Sequence, residues 1–381
     1  MVISIFNLMW VVGLMALVVT IIVVPFSIKL AKKTGAMDIP DGDRRIHEKA
    51  TPRIGGIAIF VGATVAILIP ILLNLHEIGT LTYKGEIGTI ITGFDFDFTK
   101  KEFELIGILI AGAILFLGAL VDDYKQLPAT TKLCIQIISA SLVYGFGVEI
   151  HFVTFFFEAN FYFSEIVSYF ITVIWIVAIT NTINLIDGLD GLASGTAAIA
   201  STCIAYVAYI FGYYQGALPM MAIAGAAIGF LFYNFYPAKT FMGDCGAQYL
   251  GFLIASFAIV GTVKSATLVA VILPGIALSL PIFDTMFAIV RRKLKGQPIM
   301  SADKGHFHHR LLRSGMGQRR TVLCMYGICG ILGVASIMYS RELYLEMIAL
   351  ILIDIVYVIV VLTDINGKKV DEFLQRKTKN K

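Results

Sequence analysis

Residues 5–28 read IFNLMWVVGLMALVVTIIVVPFSI, a run of 24 residues without a charged side chain. A helix of about 20 apolar residues is long enough to cross the hydrocarbon core of a bilayer. The run is too long for the apolar core of a signal peptide and has no small-residue cleavage pattern. We therefore interpret it as a retained membrane-spanning helix.

The rest of the chain has the same apolar character. Hydrophobic residues make up 58% of the 381 residues, charged residues make up 15%, and the mean hydropathy is +0.84. A water-soluble fold has too little polar surface at this composition. We therefore predict an all-α polytopic membrane protein with about eleven transmembrane helices. The apolar runs are 5–28, 54–73, 105–121, 133–148, 166–182, 192–211, 218–235, 249–263, 266–290, 322–338 and 343–362.

Lys and Arg residues predict the orientation, because positively charged loops are retained in the cytosol. If the N-terminus lies outside, 25 of the 30 Lys and Arg residues fall on the inner side. This distribution predicts an outside N-terminus, a cytosolic C-terminus and an odd number of crossings. The long outer segment 74–104 mixes β-branched and aromatic residues with Gly, a composition compatible with a short β-hairpin.

The domain organisation follows from these spans. Residues 1–366 form one integral-membrane domain in this interpretation, and residues 367–381 form a basic cytosolic tail. The five cysteines are scattered without CxxC spacing, so neither a disulfide framework nor a zinc site is indicated. The predicted inner loops that carry polar motifs are 29–53, 122–132, 181–193, 236–248 and 291–320.

The first motif is LGALVDDYKQLPATTK at 117–132, which follows the third span. Its adjacent carboxylates, Asp122 and Asp123, repel each other at a membrane border, so a cation or a retained proton is expected nearby. Neighbouring side chains point in different directions, so one carboxylate can bind a metal while the other handles a proton. A polar helix cap explains the pair equally well.

The second motif is NTINLIDGLDG at 181–191, after the fifth span. If the segment is helical, the spacing of Asp187 and Asp190 puts both on one face. The glycines permit close approach of the backbone to a ligand. The alternative is a plain loop between two helices.

The third motif is NFYPAKTFMGDCG at 234–246, after the seventh span. An Asp between two glycines, here Asp244, is a compact oxygen ligand on a flexible turn, and hard cations such as Mg²⁺ prefer oxygen. The rival interpretation is a turn in which Asp244 caps the next helix.

Two basic loops complete the set. The segment DKGHFHHR at 303–310 carries His306, His308 and His309, whose spacing suits hydrogen bonds to phosphate or sugar oxygens better than zinc. The loop 38–56 adds Lys49 and Arg53 as candidate phosphate contacts, although retention in the cytosol explains most of its charge. Asp284 and Asp354 fall inside predicted spans and have no assigned role.

Taken together, the motifs predict a site for an anionic diphosphate. Five acids, Asp122, Asp123, Asp187, Asp190 and Asp244, fall at inner helix ends of a chain otherwise poor in charge. Carboxylates opposed by Lys, Arg and His are typical of phosphoryl transfer through Mg²⁺. No GxxxxGK[ST] or GxGxxG pattern is present, which argues against a P-loop nucleotidase or a dinucleotide enzyme.

The ordered motifs VDDYKQLPATTK, NxxNLIDGLDGLASG, NFYPAKTFMGDCGA and DKGHFHHRLL resemble those of the polyprenyl-phosphate N-acetylhexosamine-1-phosphate transferases. The resemblance covers residues 35–315. It implies a Mg²⁺-dependent enzyme, with Mn²⁺ as a substitute, that moves a sugar 1-phosphate from a UDP-amino sugar to undecaprenyl phosphate and releases UMP. Its partners are then these two substrates and the cell membrane, with the site on the cytosolic face, and no nucleic acid is expected. A homodimer is an open expectation because dimers occur in the family.

The resemblance also implies residue roles. Asp122, Asp123 and Asp244 are the expected catalytic residues, with the acid pair at the lipid phosphate and Asp244 on Mg²⁺. The expected substrate contacts are Lys49, Arg53, Asn184, Asp187, Asp190, Asn234, Phe241, His306, His308 and His309. The family often has a hydroxyl residue where this chain has Cys245 and Ala247.

The pattern HxHH after RRKLKGQP is most like the branch that uses UDP-N-acetylglucosamine to begin teichoic acid or another surface polysaccharide, including lipopolysaccharide. The alternatives with the same chemistry are another UDP-N-acetylhexosamine or UDP-muramoyl-pentapeptide as donor. The alternative of another class is a secondary transporter, whose acids are expected near the bilayer midplane between repeats.

Overall fold

The structure is a computed structural model, and it describes residues 4–39, 50–72, 100–154, 160–262, 286, 293, 311–312 and 315–379. Ten long helices have defined bounds in these ranges. They are α1 (Ile5–Thr34), α2 (Gly56–Leu72), α3 (Lys100–Lys125), α4 (Ala129–Gly145), α5 (Glu165–Ile186), α6 (Leu192–Ile210), α7 (Tyr214–Asn234), α8 (Gly243–Thr262), α9 (Gln318–Ser340) and α10 (Tyr344–Lys379).

These helices coincide with ten of the eleven apolar runs, and the run at 266–290 lies outside the described residues except for residue 286. Eight helices in the described part of the chain are long and apolar enough to cross a membrane. The other two, α2 and α4, have 17 residues each. The protein is therefore an all-α polytopic membrane protein, while the count of eleven crossings and the sidedness stay predictions.

In the described residues, two short antiparallel strand pairs accompany the helices. Strand β1 (Met37–Asp38) pairs with β2 (Thr51–Pro52), and β3 (Phe152–Thr154) pairs with β4 (Asn160–Tyr162). Sequence analysis did not predict either pair, because strands of two or three residues are too short to show a periodic pattern. The hairpin expected in 74–104 lies in a segment that is described only from residue 100 onward.

Helix α8 lies at the centre of the bundle. It packs against α2, α3, α5, α6 and α7, and most of its residues are buried. Close contact with α2 depends on Gly56 and Gly246, since a Cβ atom on Gly56 would lie 2.3 Å from the backbone nitrogen of Gly246. Small residues permit this approach between membrane helices. The N-terminus of α8 is thereby fixed against the start of α2.

Buried amide side chains join α8 to two other helices. Gln136 of α4 donates to Gln248 of α8 at 3.0 Å, and Asn181 of α5 donates to Gln136 at 2.6 Å. Amide groups in an apolar interior need such partners, and the hydrogen bonds fix how the helices are rotated against one another.

The connections between successive helices bring the sequence motifs to one end of the bundle. Short connections at 126–128, 187–191 and 235–242 join α3 to α4, α5 to α6 and α7 to α8. Hydrogen bonds from Ala238 to Asp190, from Phe241 to Pro52 and from Arg53 to Asp123 place these connections and the residues before α2 at the same end. This end carries the candidate site.

Candidate active site at the shared helix ends

Asp123, which belongs to α3, binds the N-terminus of α8. Its side chain is fully buried in the last turn of α3, and its two carboxylate oxygens accept hydrogen bonds from the backbone N–H groups of Asp244 and Cys245 at 2.9 and 3.0 Å. These N–H groups are unpaired donors of the first helical turn, where a carboxylate is favourable. Arg53 donates to the same carboxylate at 3.1 Å. Asp123 therefore caps α8 and positions Asp244.

Asp122 points in a different direction from Asp123, as expected for adjacent residues. Its Oδ1 atom accepts a hydrogen bond from the backbone of Leu127 at 2.6 Å, and its Oδ2 atom lies 2.5 Å from the Lys132 ammonium. The same ammonium lies 2.8 Å from Oδ2 of Asp244. Asp122 and Asp244, far apart in sequence, therefore share one cation.

Lys132 is a site residue that sequence analysis missed, because it was counted only toward the orientation. The signal that identifies it is positional: the three-residue connection after α3 brings the first turn of α4 back beside the last turn of α3. A basic residue in that first turn, nine positions after Asp123, meets the acid pair.

Strand β2 fixes Arg53 and the loop before α8. The carbonyl oxygen of Pro52 accepts hydrogen bonds from the Phe241 backbone at 2.7 Å and from the Thr240 hydroxyl at 3.0 Å. The Arg53 backbone in turn donates to Ala36 at 3.1 Å. Arg53 and Phe241 are thus both brought to the site, and their substrate contacts stay predictions.

The second motif does not present its two Asp residues on one helix face. Helix α5 ends at Ile186, so Asp187 and Asp190 lie in the turn that follows, and the condition for a shared helical face is not met. Asp190 accepts a hydrogen bond from the Ala238 backbone at 2.9 Å. Asp187 interacts electrostatically with Asp244 and Asp123. The turn therefore directs one acid toward the site and uses the other to hold the 235–242 loop.

Asn234 joins two loops of the site. Its buried side chain accepts hydrogen bonds from the Gly191 backbone at 3.0 Å and the Ser194 hydroxyl at 3.1 Å, and it donates to the Thr240 carbonyl at 3.0 Å. Because these contacts use both the oxygen and the nitrogen of the side-chain amide, the structure gives Asn234 a positioning role. Its predicted contact with the nucleotide stays a prediction. Asn184 lies half-buried in the last turn of α5.

Several predicted residues cannot be placed. Lys49, His306, His308, His309 and Asp284 lie outside the described residues.

Asp354 is buried in α10 near Cys324 and Cys329 of α9, apart from the other acids, and its Oδ1 atom has no hydrogen-bond partner among the described residues.

We call Asp122, Asp123, Asp187 and Asp244 the acid cluster. Burial raises the pKa of Asp187 to about 7 from its ordinary value of 3.8, and the charges of Asp244, Asp123 and Asp190 act in the same direction. Carboxylates that raise one another's pKa in this way create a site where a cation is stabilised.

The Asp187→Asn variant is expected to be more stable than the wild type at pH 8 when divalent cations are chelated. The raised pKa means that folded protein binds the Asp187 proton more tightly than unfolded protein, so this group lowers stability as pH rises from about 4 through about 7. Asn does not titrate, so the gap between variant and wild type should shrink at pH 5. Thermal unfolding midpoints of both proteins at pH 5 and pH 8 test this, and a gap independent of pH would contradict it.

The cluster fits the predicted divalent cation in its donor chemistry. Asp122 and Asp244 offer carboxylate oxygens, the ligand type that Mg²⁺ prefers, and both already contact one positive group at 2.5 and 2.8 Å. Among the described residues no three His, Cys, Asp or Glu side chains form a complete metal cage. Mg²⁺ commonly takes one or two protein carboxylates and fills its shell with water and substrate phosphates, so a partial set of ligands is compatible with it.

Comparison with known proteins supplies independent findings. Residues 105–262 match the family model described as glycosyl transferase family 4. The chain is 36% identical to a Bacillus subtilis protein named "probable undecaprenyl-phosphate N-acetylglucosaminyl 1-phosphate transferase", over 94% of this chain and 93% of that protein. It is 30% identical to a decaprenyl-phosphate N-acetylglucosaminephosphotransferase of Mycolicibacterium smegmatis (86% and 82%). It is also 27% identical to a phospho-N-acetylmuramoyl-pentapeptide-transferase of Halalkalibacterium halodurans (83% and 92%).

Proposed function

Because this chain belongs to the polyprenyl-phosphate N-acetylhexosamine-1-phosphate transferases of glycosyl transferase family 4, we propose that it transfers N-acetylglucosamine 1-phosphate from UDP-N-acetylglucosamine to undecaprenyl phosphate and releases UMP. The observation that supports this assignment is the 36% identity over nearly the whole chain to a relative named for that activity. The reaction is the first membrane step of teichoic-acid or other surface-polysaccharide synthesis. We place the site on the cytosolic face, where the Lys and Arg residues concentrate.

The position of the acid cluster supports an enzyme over a transporter. Asp122, Asp123 and Asp244 meet where α3 ends and α8 begins, at the end of the bundle. A transporter that couples to ions typically holds its acids near the midplane, on broken helices between repeats. A site at the membrane surface can instead accept a water-soluble nucleotide sugar and a lipid phosphate together.

The proposed chemistry is a direct displacement at phosphorus. An oxygen of the lipid phosphate forms a bond to the phosphorus next to the sugar, the bond from that phosphorus to the bridging oxygen breaks, and UMP leaves with the bridging oxygen. When bound at Asp244, Mg²⁺ supplies charge neutralisation for the diphosphate. Asp122 orients the lipid phosphate and accepts its proton when the phosphate is monoprotonated.

The remaining described residues act by position and charge. Asp123 is occupied by two backbone N–H groups and Arg53, so we assign it the positioning of Asp244 rather than proton transfer. Asp187 and Asp190 come from the turn between α5 and α6, and Asn184 comes from the last turn of α5; we assign all three to the nucleotide side of the pocket. Asn234 holds that turn against the loop before α8.

Purified protein mixed with UDP-N-acetylglucosamine, undecaprenyl phosphate and Mg²⁺ is expected to release UMP in equal amount to the lipid diphosphate product. Removal of the lipid acceptor or addition of excess chelator should stop the release. Because one relative is a phospho-N-acetylmuramoyl-pentapeptide-transferase, the same assay with UDP-muramoyl-pentapeptide tests the second donor. Turnover with the pentapeptide donor alone would overturn the proposed donor, and no UMP from any UDP-amino sugar would overturn the proposed function.

A further inference from the structure

Lys132 forms the contact that joins two parts of the acid cluster. Its ammonium lies 2.5 Å from Asp122 and 2.8 Å from Asp244, and its side chain is 30% exposed. The carboxylates of Asp122 and Asp244 are also within hydrogen-bonding reach of each other. The ammonium therefore lies between two nearby carboxylates, where its positive charge offsets their mutual repulsion.

The charge balance of the described residues leaves room for a further cation. When ionised, the four carboxylates of the acid cluster face the Lys132 ammonium and the Arg53 guanidinium, which leaves two negative charges. Arg53 contacts Asp123, which is committed to the backbone of α8. The Lys132 ammonium instead contacts the carboxylate of Asp244, the residue predicted to bind the divalent cation.

We propose that Lys132 is an exchangeable internal counter-ion, which releases Asp244 when a divalent cation binds there. This inference rests on the cation site of the proposed function. An ammonium 2.8 Å from the Asp244 oxygen and a Mg²⁺ ion about 2.1 Å from it cannot share the gap between the two carboxylates, because they would overlap and repel. A lysine can withdraw easily, since its charge is compact, strongly hydrated and carried on a flexible stem.

The exchange would let the protein fold without metal. The ammonium offsets repulsion between Asp122 and Asp244 in the metal-free state, and the divalent cation takes over that task when it arrives. The contact between Lys132 and Asp244 also lowers the affinity of the site for the divalent cation, because it must be broken before the cation binds. Lys132 would therefore set the metal concentration at which the site fills.

Mn²⁺ binding to purified protein without nucleotide sugar, measured by electron paramagnetic resonance of free Mn²⁺, tests the exchange. Lys132→Gln is expected to bind Mn²⁺ about 10-fold more tightly than the wild type or better, because the ammonium no longer competes with Mn²⁺ for Asp244. A tenfold change in affinity corresponds to about 1.4 kcal/mol of binding free energy. Arg53→Gln is the matched control, because it removes one positive charge from the same site without freeing Asp244. Lys132→Arg keeps a competing cation and should bind no more tightly than the wild type.

A second measurement uses the wild-type protein and does not depend on the folding of a variant. Mass spectrometry of amine labelling should show Lys132 reacting faster after Mg²⁺ is added, relative to Lys239 in the same sample. Equal Mn²⁺ affinity of wild type and Lys132→Gln, an equal gain in Arg53→Gln, or unchanged labelling would each overturn the exchange and leave the proposed function standing. Absence of Mn²⁺ binding in all proteins would overturn the exchange together with the proposed cation site.

Discussion

Replacing Asp244 by Ala is expected to lower the rate of UMP release by about 10²–10³-fold. The substitution removes the carboxylate predicted to hold the divalent cation, and the loss of one principal electrostatic contact to a reacting group costs about 10²–10³-fold. The measurement is the turnover of purified protein in detergent, with UDP-N-acetylglucosamine, undecaprenyl phosphate and saturating Mg²⁺.

The stability of the Asp244→Ala protein separates a catalytic role from a structural one. In the metal-free protein, burial and the neighbouring Asp122 and Asp123 carboxylates disfavour ionised Asp244 more than the contact with Lys132 favours it, so the metal-free variant should unfold at a temperature no lower than the wild type. Glu346→Ala is a matched control, since Glu346 is an exposed acid in the first turn of α10, at the opposite end of the bundle. Turnover within about 10-fold of the wild type would remove Asp244 from the role of metal ligand.

Replacing Gly243 by Ala is expected to lower both stability and turnover. Gly243 has a φ of +71°, where a residue with a Cβ atom costs about 1–2 kcal/mol. The added Cβ would also lie 2.1 Å from the Arg53 carbonyl oxygen and 2.6 Å from the Asp123 carboxylate, so the backbone must shift. We expect a total loss of about 3 kcal/mol or more in the free energy of unfolding, and about 10²-fold in turnover, because Asp244 is the next residue.

Gly35→Ala isolates the effect of crowding at the site. Gly35 ends α1 with a φ of +77°, and nothing lies within 4 Å of a Cβ atom placed there. This control carries the same backbone cost without the clash, so it should lose about 1–2 kcal/mol of stability and keep its turnover. Unfolding titrations and turnover of the two variants under the same conditions provide the comparison, and equal losses in both would show that the approach of Gly243 to Arg53 and Asp123 is unimportant.

The positions of the helices and the placement of the acid motifs at helix ends were predictable because both are local properties of the chain. Apolar runs define helices that cross a bilayer, and polar residues mark where the helices end. Helices that cross a bilayer one after another alternate in direction, so motifs that follow the third, fifth and seventh runs are expected at one end of the bundle. The convergence of Asp122 and Asp244 could therefore be anticipated without any knowledge of how the helices pack.

The separate roles of the acids could not be predicted in this way. Asp122 and Asp123 are neighbours in sequence, yet Asp123 caps α8 while Asp122 meets Lys132. Asp187 and Asp190 have helical spacing, yet α5 ends at Ile186 and directs them to different partners.

The sequence by itself determined that this protein is a helical membrane protein with its acidic motifs at helix ends, because hydropathy and helix termination depend on neighbours along the chain. Only the tertiary structure decided which acid binds which partner, since the deciding contacts join residues distant in sequence. Asp123 meets the backbone of Asp244 and Cys245, Asp244 meets Lys132, and both pairings depend on how α3, α4 and α8 are rotated against one another. That rotation is set by close packing and by buried hydrogen bonds such as Gln136 to Gln248.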